Sequence, residues 1–357
     1  MFLESIELYD FRNYQKGCFR FEPKGALIIG ANGSGKTNLL EAIAYCGIGK
    51  SIRLHHDEQL LRHNCSSFSL RAKFSLDEGG SFHLHMSFGS KKKLFRLDNN
   101  PLRQLSFLIE KVKVIYCAPE DLLLVNGSPR TRRQYFDIAI AQIFPPYMGV
   151  LREYLKVIEQ RNALLKTHAS EAEKSIWDRR FYLSYKEVLR FRRRYLEVLN
   201  ELFNAPEFRL IDYKLHINYQ NASHLESPDH IDERGFLTAL AALWDKEKHY
   251  QRSLVGAHLD DYEMSLDAMN LKSYASQGQK RIFVLILKLV QARLISKITG
   301  IKPILLLDDI LAELDATHAQ GVYEICEKDF QVIIAAPRKE LSSVWQNLPI
   351  ISLTKVV

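Results

Sequence analysis

Gly30-Ala31-Asn32-Gly33-Ser34-Gly35-Lys36-Thr37 has the residue types and spacing of a loop that wraps phosphate. Glycines let successive backbone N–H groups turn inward. Lys36 sets a cation against β- and γ-phosphate oxygens, and Thr37 offers a hydroxyl to Mg2+. The bland alternative is a glycine-rich turn with a chance lysine. The flanking sequence argues against it. The apolar run Ala26–Ile29 reads as a buried strand, and the segment after Thr37, from Asn38 to Tyr45, reads as a helix.

A second cluster ends another apolar run, Ile304-Leu305-Leu306-Leu307-Asp308-Asp309. Adjacent acids at the end of a buried strand are costly without a cation. Beside the phosphate loop they suit metal-assisted phosphoryl transfer. Asp308 is assigned to the metal, through water, and Asp309 to orienting or deprotonating the attacking water, with Lys36 as the catalytic cation.

Ser276-Gln277-Gly278-Gln279-Lys280-Arg281 opens a helical stretch. Ser276 can cap it, and Gly278 leaves its backbone open to approach. An uncovered helix start attracts anions. A plain N-cap is the default for such a segment. Its place before the acidic strand, with Glu313-Leu314-Asp315 just after that strand, follows the order of ABC-type ATPases.

The elements that must position these groups divide the chain in three. The first third reads as short strands around one helix. From Pro129 to Ala205 the pattern is helical, with a capping box at Ser170–Glu173 between two long antiparallel helices. The last third returns to α/β. The reading is an α/β fold, an ABC-type P-loop ATPase head with an inserted helical arm. Its boundaries are 1–127 for the N-terminal lobe, 128–207 for the arm and 208–357 for the C-terminal lobe. Residues 128–205 hold 15 Lys+Arg and 9 Asp+Glu, against a formal charge of +7 for all 357 residues, so the arm carries almost all the excess. Its densest cluster is Arg190, Arg192, Arg193 and Arg194, read either as a solvated face or as phosphate contacts.

Five scattered cysteines without a CxxC fit a reducing cytosol. The N-terminal segment lacks the pattern of a signal peptide, and no apolar run is long enough for a membrane span. His55-His56 and the pair His83 and His85 lack acids or cysteines at ligand spacing and read as loop and strand histidines. Lys91-Lys92-Lys93 with Phe95 and Arg96 reads as a solvated hairpin, with DNA backbone contact as the alternative.

Taken together, the motifs resemble the RecF family, short-armed relatives of SMC proteins among the ABC-type ATPases. Carrying the resemblance are Leu8-Tyr9-Asp10-Phe11-Arg12-Asn13-Tyr14, the loop and GKTNLLEAI at residues 35–43, and Lys50-Ser51-Ile52-Arg53. Pro119-Glu120-Asp121-Leu122, Gly127-Ser128-Pro129, Arg132-Arg133 and LLLDDILAELD complete the set. The resemblance implies a cytoplasmic, Mg2+-dependent, weak DNA-stimulated ATPase of recombinational repair and replication restart. It would form an ATP-dependent homodimer on double-stranded or gapped DNA, with RecR-type and RecO-type mediator proteins as partners and no membrane. Ser276, Gln277, Gly278, Gln279 and Asp315 would then meet the nucleotide of the opposite subunit. Arg12, Arg53, Arg132 and Arg133 are candidate nucleotide or DNA contacts, a surface arginine being the alternative for Arg12.

Three departures from the family pattern stand out, one being the arm's Arg-rich helix, which is similar to the family only in composition. Gly256-Ala257-His258-Leu259-Asp260-Asp261 replaces the usual Gly-Pro-His-Arg-Asp-Asp, and Ala335-Ala336-Pro337 has no polar switch residue. The Ala335-Ala336-Pro337 departure keeps open an SMC-like clamp that barely hydrolyses ATP. A transporter-type ATPase subunit is the remaining alternative, disfavoured by the segment Pro119–Arg133.

Overall fold

The computed structural model describes all residues except 53–55, 103, 168–169, 222–231, 328, 338–344, 346 and 355–357. The chain forms two compact units. One comprises Met1–Asp121, Pro206–Ile211 and Arg281–Val357; the other comprises Leu122–Ala205 and Asp212–Lys280. The segment Asp212–Lys280, read from sequence as part of the C-terminal lobe, thus groups with the helical arm.

The first unit is layered around a central sheet. A parallel sheet is built from strands Ile350–Leu353, Gly25–Gly30, Gln331–Ala336, Ile304–Asp308 and Val114–Cys117, in that spatial order. Its strands are near-continuous apolar runs because both faces are covered. The helix Lys36–Ile48 lies against one face. On the far side of that helix an antiparallel sheet closes the layer, led by strands Tyr14–Arg20, Phe2–Phe11, Ser67–Ser75 and Ser81–Gly89. These strands alternate, with Leu3, Ile6, Leu8, Leu70, Phe74, Leu84 and Met86 inward. Because the helix is sandwiched, it is buried on every side from Leu39 to Ile48.

The second unit pairs helices Tyr147–Leu164 and Glu171–Phe203. They run antiparallel: Arg161 meets Asp178, Tyr154 meets Phe181 and Tyr185, and Tyr147 meets Arg192. The capping box read from sequence is present, Ser170 and Glu173 each bonding the other's backbone N–H. Helix Pro129–Ile143 and a small sheet of strands Leu215–Gln220, Asp261–Leu266 and Met269–Asn270 pack with them, as does helix Glu233–Tyr250. That last helix has no counterpart in the sequence reading.

The charge of this unit differs from the sequence expectation. Asp212–Lys280 holds 11 acidic and 7 basic residues, so the whole unit carries 22 basic and 20 acidic ones and is close to neutral. The acids answer the arginines directly. Arg161 is buried and donates to Asp178 at 2.8 Å, Glu247 at 2.6 Å and Ser253 at 2.8 Å. Arg192, read as part of an exposed cluster, is also buried; it donates to Asp137 at 2.9 Å, Ala257 O at 2.7 Å, and the Tyr147 and Tyr219 hydroxyls at 3.1 Å. Only Arg190 and Arg194 of that cluster are fully exposed.

Candidate nucleotide site

The parallel sheet brings its carboxyl ends together, the usual place for a ligand in an α/β sheet. Gly25–Gly30 and Ile304–Asp308 flank Gln331–Ala336 on either side, so the phosphate loop and the paired acids leave strand ends one strand apart. Thr37 Oγ1 donates to Asp308 Oδ1 at 3.1 Å. Asp308 is buried, and its second oxygen accepts from the Tyr116 hydroxyl at 2.7 Å. Tyr116 carries no functional signal in the sequence, where it is one residue of an apolar run that forms the strand Val114–Cys117.

Lys36 is buried, with Nζ 2.7 Å from Gly30 O and 3.2 Å from Ala31 O. The loop turns at Gly33 (φ 81°) and Gly35 (φ 102°), conformations that disfavour any side chain. At Gly35 a Cβ would also sit 2.7 Å from the Tyr14 hydroxyl. Ala31 and Asn32 are exposed at the rim, and Ser34 Oγ is buried with no hydrogen-bond partner among the described residues.

Asp309 has left-handed backbone (φ 53°) and donates its N–H to Ala335 O at 3.1 Å. Its Oδ1 is buried without a hydrogen-bond partner among the described residues. Burial raises its carboxyl above the usual range, against the pull of Lys36 and with the push of Glu120. The Ala335 position therefore acts through its backbone, holding Asp309 in place.

Mg2+ prefers few protein ligands, completing its shell with water and phosphate oxygens. One hydroxyl and one carboxylate already in contact, beside a cation and an unsatisfied acid, fit that demand. Thr37 and Asp308 would hold the ion, which would screen charge on the phosphates.

The other expected residues lie in several places. Ser276 caps helix Gln277–Thr299 through a reciprocal pair: Gln279 N donates to Ser276 Oγ at 3.2 Å, and Ser276 N donates to Gln279 Oε1 at 2.8 Å. Ser276, Gln277 and Gly278 are exposed, and a Cβ on Gly278 would meet nothing closer than 3.9 Å. Asp315 is exposed and caps helix Ala316–Glu327, accepting from His318 N at 2.9 Å. Arg12 contacts Glu41 on the phosphate-loop helix.

Arg53 and His55 lie outside the described residues. Arg132 forks onto Asp261 at 2.7 and 2.8 Å and bonds the carbonyls of Leu124 and Gly127; Arg133 reaches Asp260 O at 2.8 Å. Both arginines, read as possible ligand contacts, are thus engaged within the second unit.

The departure at residues 256–261 is the hub of that unit. Gly256 (φ 117°) has no room for a side chain, because a Cβ would lie 2.6 Å from the Tyr154 hydroxyl. Ala257 O accepts from Arg192, and His258 Nδ1 is 2.8 Å from Tyr154 Oη. Tyr219 donates to Asp260 at 2.5 Å, and Asp261 takes Arg132. Leu259, where the family usually has arginine, is half-buried.

Residues 2–104 match the family described as "RecF/RecN/SMC N terminal domain". The chain is 31% identical to the DNA replication and repair protein RecF of Acetivibrio thermocellus over 96% of this chain and 94% of that one. It is 32% identical to the RecF of Crocosphaera subtropica over 94% and 92%. Among solved structures, the recombination mediator protein RecF with ATP, of the RecFOR pathway, superposes with a TM-score of 0.89 at 26% identity, covering 99% of this chain and 96% of that one. An Smc head bound to the C-winged helix domain of ScpA shares the fold at a TM-score of 0.56 and 17% identity, with 100% and 96% covered. No helix among the described residues is long and apolar enough to cross a membrane.

Proposed function

The chain belongs to the RecF family of DNA replication and repair proteins, and from that premise we propose that it is a DNA-stimulated ATPase whose nucleotide closes a homodimer on double-stranded or gapped DNA. The observation that carries this is the 3.1 Å contact between Thr37 and Asp308 across the carboxyl end of the parallel sheet, with Lys36 and Asp309 beside it.

In this reading the phosphate loop takes ATP, with Mg2+ held by Thr37 and Asp308. The exposed start of the helix at Ser276, with Asp315, meets the nucleotide of the partner subunit. Asp309 orients the attacking water, and its raised carboxyl suits a group that must accept a proton. Hydrolysis reopens the dimer. The place of action is the cytoplasm, where the chromosome lies, in recombinational repair and replication restart with RecR-type and RecO-type partners. Arg132 and Arg133 serve as framework in this account, because their donors already engage Asp261 and Asp260.

Steady-state ATP hydrolysis with and without duplex DNA tests the reading, using wild type, Lys36→Arg and Ser276→Arg. DNA should raise the wild-type rate, each variant should lose it, and a mixture of the two should regain part. Such complementation requires sites shared between subunits. A wild type that dimerises with ATP yet never hydrolyses it would favour the clamp. A wild type with no DNA response would remove the DNA-gated cycle.

A further inference from the structure

The tight turn between Phe11 and Tyr14 has unusual chemistry. Arg12 is the first of its two central residues and has φ 55°. Glycine or asparagine is favoured there, because left-handed backbone is costly for a long side chain. Such strain persists only where the surroundings enforce it.

Here three consecutive side chains enforce it. Tyr14 Oη donates to Gly35 O at 3.0 Å, Asn38 Nδ2 donates to Asn13 Oδ1 at 2.8 Å, and Arg12 Nε and Nη2 donate to Glu41 Oε2 at 2.9 and 2.7 Å. Gly35, Asn38 and Glu41 are spaced by three, so they form one face of the phosphate-loop helix, roughly 9 Å along its axis. Glu41 is wholly buried, and a buried carboxylate is tolerated only when paired. Its other oxygen accepts from Ser51 Oγ at 2.7 Å. Arg12 also donates Nη1 to Gln59 O at 3.1 Å and its backbone N–H to Leu60 O at 2.7 Å.

We propose that the turn Arg12-Asn13-Tyr14 is a positioning clamp for the phosphate loop, with Glu41 as its buried anchor. The inference rests on the nucleotide reading above and assigns Arg12 a different part in it. Both edges of the guanidinium are used by protein acceptors, so Arg12 acts on the nucleotide through the helix. The clamp fixes the axis on which Lys36 and Thr37 are mounted. A displacement of about 1 Å at such groups is enough to cost two orders of magnitude in reactivity.

The test measures the dissociation constants of a fluorescent ATP analogue and of its ADP counterpart with Mg2+, well below the melting temperature of each variant. Wild type must bind first; failure there sinks the nucleotide reading itself. Tyr14→Phe, Asn13→Ala and Glu41→Gln should each weaken both nucleotides, by about three- to tenfold. Arg12→Ala combined with Glu41→Gln should be no worse than the weaker single variant, the signature of one shared interaction. Glu41→Asp with Arg12 intact should recover part of the affinity.

If Arg12→Ala alone weakens binding while Glu41→Gln and Asn13→Ala leave it unchanged, Arg12 touches nucleotide directly and the clamp is wrong. Unchanged affinity in every variant also overturns it. Should Glu41→Gln fail to fold, Asn13→Ala and Tyr14→Phe carry the same decision.

Discussion

At the phosphate loop, Lys36 rests on the backbone carbonyls of Gly30 and Ala31, and Asp309 presents a buried oxygen with no hydrogen-bond partner among the described residues. In the helical unit, Arg161 lies between Asp178 and Glu247, and Arg192 is held by Asp137 and three neutral oxygens. The first region keeps polar groups poised for charge that the chain does not supply. The second consumes its charge internally. Arginines in a sequence therefore carry little information about ligands until their carboxylates are located, and here two of those, Glu247 for Arg161 and Asp261 for Arg132, come from a segment far along the chain.

The sharpest way to break this comparison is to remove Arg161. Asp178 and Glu247 would remain buried without their cation, and stability should fall by about 3–5 kcal/mol. Urea unfolding at neutral pH reads this directly. Replacing Arg161, Asp178 and Glu247 together by apolar residues of similar volume should restore most of the loss. A single Arg161→Ala costing under about 1 kcal/mol would mean the cluster is not a structural centre.

Asp309 is expected to behave in the opposite sense. Its carboxyl is raised chiefly by burial, so ionisation there costs stability. Because the folded pKa lies above the unfolded one, that cost is felt above the folded pKa and is relieved as pH falls through it. Asparagine tolerates left-handed backbone and carries no charge. Asp309→Asn should leave the protein as stable as wild type or slightly more so, while ATP turnover drops by about 10²–10³-fold. Thermal melts and single-turnover hydrolysis on one preparation decide it. Loss of stability together with activity would place Asp309 with the paired charges of the arm instead.

Legibility followed the same line. The phosphate loop, the acidic strand end and the Ser276 cap are local patterns in which one short segment holds both the motif and the elements around it. The clamp is half legible: Phe11-Arg12-Asn13-Tyr14 and Asn38-Leu39-Leu40-Glu41 both lie in motifs that the sequence marks, but nothing in either shows that one contacts a face of the other. Tyr116 looked like any apolar strand residue, since a strand gives no sign of where a hydroxyl ends. The helix Glu233–Tyr250 is amphipathic, with Phe236 and Leu240 inward, yet it follows a polar stretch that hides its start in the sequence. The boundary at Asp212 was illegible because the pairings that move the segment 212–280 to the arm are long-range: Glu247 to Arg161 and Asp261 to Arg132.

The smallest expected effect separates neighbours within one sequence cluster. Arg190 and Arg194 are exposed on the long helix, whereas Arg192 between them is buried. Arg190 pairs with exposed Glu187 at the surface, a contact of the kind that contributes little. Arg190→Ala and Arg194→Ala should each change stability by no more than about 0.5 kcal/mol. If the outer face of the arm meets DNA, each should also lower the salt dependence of binding by about one phosphate contact, uniformly across sequences. Equal slopes in wild type and both variants would move the DNA contact away from this face while leaving the stability comparison intact. A large stability loss in either would mean that the exposed arginines, like Arg192, belong to the paired interior.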